Sequence, residues 1–228
     1  MEDAHSDRRI LEAWAANAAP WTRAVREGRI GSRTRITDRA LLETILAAPA
    51  TRLLDVGCGE GWLARALTPR GVHVTGIDAV PELIERARAA GGGDFFVLDY
   101  EALSEDGPAG PFDAAVCNFS LLGDAATEAV VASVAERLTT DGRLIIQTLH
   151  PPTACGAAPY RDGWRDGTWA GIEGDFAAPA PWYFRTLASW IRLLTRGGFA
   201  LGELHEPVDP ATGQPASVVF VATPLRGR

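Results

Sequence analysis

The sequence predicts an α/β fold with a doubly wound, mostly parallel sheet. From Thr51 onward, short apolar runs that end in glycine or an acidic residue alternate with stretches of helical periodicity. The apolar runs are nearly continuous, which is typical of strands buried on both faces. Because such alternation requires right-handed crossovers, we expect helices to cover both faces of one sheet.

The first fifty residues are predicted to be helical and to form an N-terminal lid. A helix around Trp14 is expected to be interrupted by Pro20, because proline lacks the N–H that the helix ladder needs. A second helix carries Leu41 on its apolar face. It is entered through Thr37-Asp38, residues suited to an N-cap.

Residues 51–150 contain five predicted strands and the helices that connect them. The strands are residues 53–56, 72–78, 94–99, 112–118 and 143–149. Helices are predicted for residues 62–67, for a segment with Pro81 in its first turn, and for residues 125–138.

The remainder of the chain breaks this rhythm. Residues 151–181 hold five prolines and many glycines, so they predict a functional lid or a mobile insertion after the fifth strand. A helix ending at Arg196 and two terminal strands, 199–205 and 217–223, follow. We interpret residues 1–228 as a single domain with segments 1–50, 51–150, 151–183 and 184–228.

Composition excludes several classes of function. All 22 basic residues are arginine, so a Walker-type NTPase and a lysine Schiff-base enzyme are excluded. A net charge of −7 disfavours a nucleic-acid partner. The polar N-terminus and the absence of long apolar runs indicate a cytoplasmic protein without a membrane partner. Cys58, Cys117 and Cys155 have neither paired nor metal-ligand spacing, so free thiols and no metal are expected.

A glycine-rich turn, Gly57-x-Gly59-x-Gly61, lies between the first strand and the following helix. Glycine lets the backbone approach a ligand closely, and the helix N-terminus offers free N–H groups. Dinucleotide-binding loops would require a glycine where Trp62 stands. Asp78 closes the second strand, where an acidic residue holds ribose hydroxyls; the alternative is that it caps the next helix.

These features resemble the ordered motifs of class I S-adenosylmethionine (SAM)-dependent methyltransferases of small molecules. The resemblance is carried by residues 55–61, 76–78, 98–100 and 112–118. It implies a seven-stranded sheet whose antiparallel last strand lies between the fifth and sixth strands. It also implies SAM as cofactor and methyl transfer to the oxygen, nitrogen or carbon of a small-molecule acceptor.

The resemblance further implies which residues bind SAM. The set is Asp55, Gly57, Cys58, Gly59, Gly61, Asp78, Ala79, Val80, Asp99, Tyr100 and Asn118.

Within that set, Gly57, Gly59 and Asp55 surround the methionyl tail, and Asn118 takes its ammonium through a carbonyl. For Asp55, a hydrogen bond that fixes the loop is an equal alternative. We also expect Arg33 or Arg35 to pair with the carboxylate of SAM.

The remaining residues of the set are expected to bind the nucleoside part of SAM. Asp78 binds both ribose hydroxyls, and Val80 flanks the ring. Asp99 accepts from the adenine amino group, beside the backbone of Tyr100. The alternative for Asp99 is a solvated turn residue.

Fewer sequence features indicate which residues bind the methyl acceptor. His150 ends the fifth strand where the methyl group should lie, and its ordinary pKa suits a general base. The alternative is that it fixes the following Pro-Pro turn. Several aromatic side chains are predicted to wall a pocket for a flat or apolar acceptor, or else to form the core of the insertion: Tyr160, Trp164, Trp169, Trp182 and Tyr183. Arg185 is expected to grip an acidic group or to form a surface ion pair.

Three alternatives to a small-molecule methyltransferase follow from the same residues. The first is a SAM-binding module without methyl transfer. The second is a nicotinamide dehydrogenase, which the glycine spacing opposes. The third is nucleic-acid amino methylation, which is opposed because residues 118–121 are not the Asn/Asp-Pro-Pro-Tyr of those enzymes. A monomer or a homodimer is expected.

Overall fold

A computed structural model describes residues 4–225 of the chain. It confirms the α/β fold with a seven-stranded, mostly parallel sheet, in the order β3-β2-β1-β4-β5-β11-β8. These seven strands are β1 Arg52–Val56, β2 His73–Asp78, β3 Asp94–Val97, β4 Phe112–Asn118, β5 Leu138–Thr148, β8 Phe199–His205 and β11 Val218–Pro224. As expected, β11 lies between β5 and β8 and runs antiparallel to both.

Two short antiparallel pairs lie outside the main sheet. They are formed by β6 Gly163–Arg165 with β7 Trp182–Phe184, and by β9 Val208–Asp209 with β10 Gln214–Pro215. The insertion after β5 therefore contains a small sheet of its own.

Helices cover both faces of the sheet. They are α1 Asp7–Arg26, α2 Asp38–Leu46, α3 Trp62–Leu67, α4 Pro81–Ala90, α5 Leu103–Asp106, α6 Ala125–Val134, α7 Pro151–Cys155 and α8 Leu187–Arg196. One apolar cluster packs α5, α6 and α8 against the sheet, and a second packs α2, α3 and α4 against it. None of the helices in residues 4–225 has the length and apolar character needed to cross a membrane.

The N-terminal segment differs from its prediction in two places. Helix α1 continues through Pro20 instead of ending there, although an interior proline costs a helix about 3 kcal/mol. Contacts of α1 with the rest of the domain, described below, compensate for that loss. Thr37 does not cap α2, because residues Arg33–Thr37 form a π-helical turn that leads directly into the helix.

The insertion packs against α1. The side chain of Asn17 is fully buried, accepts a hydrogen bond from the N–H of Ala177 at 2.8 Å and donates one to the carbonyl of Ala178 at 3.2 Å. Ile30, beyond α1, forms a β-bridge with Ile172. The N-terminal segment and the insertion are thus joined to each other at two points.

We predict that Gly76→Ala destabilises the fold. A Cβ at Gly76, in the middle of β2, would lie 2.7 Å from Phe95 and 2.8 Å from the sulfur of Cys58. Overpacking of this kind costs about 1–3 kcal/mol of unfolding free energy. Gly202→Ala in β8 is the matched control, because its Cβ would meet nothing closer than 3.6 Å. Urea denaturation of both variants checks this, and equal losses would contradict it.

Candidate functional site

A cavity of about 560 Å³ lies beyond the carboxyl ends of β1 to β4, under α1. The strand order reverses between β1 and β4, which is where open α/β sheets bind ligands. Most of the predicted cofactor-binding residues line this cavity: Arg33, Gly57, Cys58, Gly59, Asp78, Ala79, Val80, Asp99, Tyr100 and Asn118. The volume suits a ligand of nucleoside size together with a second small molecule.

The glycine turn forms one wall of the cavity. Both Gly57 and Cys58 donate backbone hydrogen bonds to the carbonyl of Ile77, at 2.8 and 2.9 Å. A Cβ at Gly59, where φ is +57°, would meet only the indole nitrogen of Trp21 at 3.9 Å. A ligand can therefore approach the backbone there. Gly61 does not line the cavity, and its left-handed conformation starts α3 instead.

Asp78 ties this turn to the end of β2. Its two carboxylate oxygens accept hydrogen bonds from the N–H groups of Gly59 and Val80, each at 2.9 Å. Burial raises the pKa of Asp78, and the two backbone N–H groups oppose that shift. The bond to Val80 lies at the start of α4. Val80 is the N-cap residue of α4 and no side chain caps that helix, so Asp78 fixes the backbone just before α4 without performing the capping role considered above, and its carboxylate faces the cavity.

The next two strands bring three further polar groups to the cavity. Asp99 is exposed and accepts a hydrogen bond from the N–H of Ala102 at 2.8 Å, as a turn residue does. The hydroxyl of Tyr100 donates to the carbonyl of Ser120 at 3.2 Å, and burial raises the pKa of this phenol. The side-chain oxygen of Asn118 is buried and has no hydrogen-bond partner among the described residues.

Arg33 and Arg35 have different surroundings. Arg33 is buried, donates from Nε to Asp38 at 2.9 Å and places its guanidinium 4.7 Å from the ring centre of Trp62. Its Nη2 has no hydrogen-bond partner among the described residues. Arg35 binds Asp209 at 3.2 Å and does not line the cavity. Of these two arginines, Arg33 is thus the one placed to meet an anionic ligand group.

Asp55 lies behind the glycine turn and does not line the cavity. Its side chain is buried, and Oδ2 has no hydrogen-bond partner among the described residues. Burial, together with the charge of Asp78, raises the pKa of Asp55 to about 7, while the nearby charge of Arg33 opposes the shift. The carboxyl group of Asp55 therefore interacts electrostatically with Asp78 and Arg33, although it is not part of the cavity surface.

Both ends of α1 are fixed above the cavity. At its start, the carboxylate of Asp7 accepts hydrogen bonds from the N–H groups of Asp124 and Ala126, at 2.9 and 3.0 Å. At its end, Arg26 binds the buried carboxylate of Glu60 at 2.6 Å, and Arg65 holds the same group. Glu60 belongs to the glycine turn, so the end of α1 is attached to that turn.

Three tryptophans form one wall of the cavity, which we call the tryptophan wall. Trp14 and Trp21 come from α1 and Trp169 from the insertion, with ring centres 4.9 to 6.4 Å apart. Trp169 was expected on the acceptor side, but Trp14 and Trp21 were not assigned to the site. Their spacing of seven residues, two helical turns, was the signal that would have paired them on one face.

The predicted acceptor-side residues other than Trp169 do not reach the cavity. His150 is buried and contacts Glu206 at 2.6 Å and Thr153 at 3.2 Å, as a residue that fixes the turn would. Arg185 is buried beneath the loop before α6, where it binds Asp124 at 2.8 Å and is not part of a surface ion pair.

The remaining aromatics pack within the insertion instead. Tyr160 packs on Phe184, and Trp164 packs on Tyr183. Trp182 also contacts Phe184, which is consistent with the alternative that these rings form the small core of the insertion.

The sequence and the fold were compared with those of known proteins. Residues 53–142 match the family described as a methyltransferase domain. A ubiquinone biosynthesis O-methyltransferase of Xylella fastidiosa is 43% identical over 104 residues, which are 43% of this chain and 42% of the relative. The chain thus spans less than half the length of this curated relative.

Solved structures share the fold at lower identity. A SAM-dependent methyltransferase from Mesorhizobium loti gives a TM-score of 0.60 at 24% identity, covering 78% of this chain and 94% of that one. The glycopeptide N-methyltransferase MtfA, in complex with sinefungin, gives 0.63 at 16% identity, covering 84% and 86%.

We predict that the free energy of unfolding of Asp55→Asn increases relative to that of the wild type as the pH rises. The folded-state pKa of about 7 exceeds the ordinary value of 3.8, so the folded protein holds this proton more tightly than the unfolded chain. The stability contributed by Asp55 is present at low pH and is lost between about pH 4 and pH 7. An amide does not titrate in this range. The unfolding free energy of the variant should therefore rise relative to the wild type by a few kcal/mol across this pH range, at about 1.4 kcal/mol per pKa unit.

Urea denaturation at pH 5 and pH 8 measures this difference. Asp141→Asn, at an exposed position of β5, is the control. If the two variants show the same pH dependence, the buried charge of Asp55 is not the cause.

Proposed function

We propose that this protein methylates a small molecule with SAM, because residues 53–142 match a methyltransferase-domain family and the sheet has the fold of solved SAM-dependent methyltransferases. The observation that supports this most directly is the cavity at the strand-order reversal. It combines a glycine turn open to ligand, the Asp78 carboxylate and two unpaired buried polar atoms, on Arg33 and Asn118.

The residues present suit the parts of SAM. A carboxylate held by backbone N–H groups, as in Asp78, accepts hydrogen bonds from ribose hydroxyls. The unpaired Nη2 of Arg33 suits the methionyl carboxylate, and the carbonyl oxygen of Asn118 suits the ammonium. Asp99 keeps one oxygen for the adenine amino group while the other accepts from Ala102.

The chain's contribution to the reaction is placement and exclusion of water. When bound, SAM supplies a methyl group on a sulfonium, which is already a good leaving group. Alignment of the acceptor in an apolar enclosure can therefore provide most of the acceleration. The lid formed by α1 and the insertion provides that enclosure. A cytoplasmic location and a monomeric or homodimeric state remain predictions.

We predict that Asp78→Asn weakens binding of S-adenosylhomocysteine about 10- to 100-fold. The substitution removes a charged acceptor, whose hydrogen bonds are worth about 1.5–3 kcal/mol. Asp94→Asn, at the exposed start of β3, is the control. Isothermal titration calorimetry measures both affinities, with circular dichroism to check folding. Equal affinities would remove Asp78 from the site. Tight binding without any methyl transfer would favour a binding module instead.

We predict that Arg33→Ala weakens S-adenosylhomocysteine binding at least about 10-fold but leaves adenosine binding unchanged. Adenosine lacks the carboxylate that Arg33 would meet, so only the full ligand should report the loss. Arg35→Ala is the matched control, because Arg35 binds Asp209 away from the cavity. A parallel loss of adenosine affinity would mean that Arg33 acts only through the folding of the lid.

A further inference from the structure

We propose that the acceptor is a planar, apolar molecule whose methyl-accepting atom is already nucleophilic at neutral pH, as an anion or a neutral amine. This inference rests on the proposed methyl transfer and concerns the acceptor side of the same cavity. It rests on the hydrogen-bond and ion-pair partners of the described titratable groups that face the cavity, and on the apolar surface of the tryptophan wall.

All four histidines contact acidic side chains, and none of them belongs to the described cavity lining. His150 is held by Glu206 and lies outside the cavity lining. His73 and His205 pair with acidic residues on their own edges of the sheet, and His5 pairs with Asp166. The chain has no lysine. The two side-chain types most suited to take a proton near neutral pH are thus absent from the described lining.

The carboxylates that do line the cavity are held by other partners or belong to the cofactor side. Asp7 accepts from two backbone N–H groups, and Glu60 is held by two arginines. Asp78 and Asp99 are those proposed for the nucleoside, and Glu101, two residues beyond Asp99, is exposed.

Asp55 titrates in the range of a general base but lies behind the glycine turn, outside the cavity lining.

The remaining titratable groups facing the cavity are poor bases. Burial raises the pKa of the Cys58 thiol and of the Tyr100 phenol, so both stay protonated at neutral pH. The Tyr100 hydroxyl donates to Ser120. The two arginines of the lining, Arg8 and Arg33, donate to Glu12 and Asp38 and cannot accept a proton.

Apart from Asn118 and Ser120, the other side chains of the described lining are apolar. The tryptophan wall presents aromatic surface, and aliphatic side chains complete the enclosure: Ile10, Leu11, Leu122, Leu149 and Ile172. Such a lining binds a flat ring by stacking and burial, and it offers little to a sugar or a polar amino acid.

The reaction then balances without a proton acceptor on the protein. The lone pair of the acceptor atom forms the bond to the methyl carbon, and the electron pair of the broken C–S bond stays on sulfur, which becomes a neutral thioether. An anionic acceptor gives a neutral product. A neutral amine gives an ammonium, which loses its proton to water after release.

The test is the pH dependence of kcat/KM for three series of probes, namely substituted phenols, thiophenols and anilines that differ in their own pKa. We expect at least one series to be methylated. Its kcat/KM should rise about tenfold per pH unit and level off at the pKa of each probe. His150→Gln should leave the shape of this profile unchanged. An inflection common to all probes would overturn the proposal by revealing a base on the protein, and loss of that inflection in Asp55→Asn would identify Asp55 as the base.

A spectroscopic measurement adds evidence that does not depend on turnover. 4-Nitrophenol changes its absorbance on ionisation and can be titrated while bound to protein loaded with S-adenosylhomocysteine. We expect its pKa in the site to be no lower than in water, because an apolar cavity disfavours the anion. A pKa far below the value in water would contradict the proposal.

The tryptophan wall is tested by Trp169→Leu, which should raise KM for a planar probe about three- to tenfold. Trp164→Leu is the matched control, since Trp164 belongs to the same insertion but does not line the cavity. If protein that binds S-adenosylhomocysteine methylates none of the three series, the acceptor class is wrong. If the wild-type protein does not bind S-adenosylhomocysteine, the proposed function itself is contradicted.

Discussion

The site depends on the pair of hydrogen bonds that Asp78 accepts from the backbone of Gly59 and Val80. These bonds join the glycine turn after β1 to the end of β2, at the edge where the strand order reverses. The turn is thereby held open toward the cavity. The cost of burying the carboxylate, seen in its raised pKa, is offset by two backbone donors. One side chain therefore fixes both the shape and the charge of the site.

The cover over the cavity is held by polar contacts at defined points. Asp7 satisfies backbone donors at the start of α6, where an anion is also favoured by the helix dipole. Arg26 reaches Glu60 in the glycine turn, and the buried Asn17 fixes the insertion to α1. Because these contacts connect distant parts of the chain, the lid, the turn and the insertion form one enclosure around the cavity.

Polar and apolar groups are distributed unequally over the cavity surface, in a way that suits its proposed function. Charged and polar groups gather around the glycine turn, where Arg33 and Asn118 each keep one buried atom without a hydrogen-bond partner among residues 4–225. Leaving such atoms unpaired costs about 1–3 kcal/mol each, so a polar ligand that pairs with them recovers that energy on binding. The tryptophan wall offers apolar surface, and its Trp21 also borders the glycine turn at Gly59. A charged cofactor and an apolar acceptor would thus find complementary surroundings in one cavity.

The sequence by itself determined the fold class, the order of strands and helices, and the positions of the glycines and acids at strand ends. These follow from local patterns, because apolar runs and turn residues report their own burial and backbone geometry. Only the tertiary structure decided the partners of His150 and Arg185, which lie 56 and 61 residues away in Glu206 and Asp124. It also decided that α1 continues through Pro20. Side-chain pairing over such separations depends on how whole elements pack, and that information is absent from any local window of sequence.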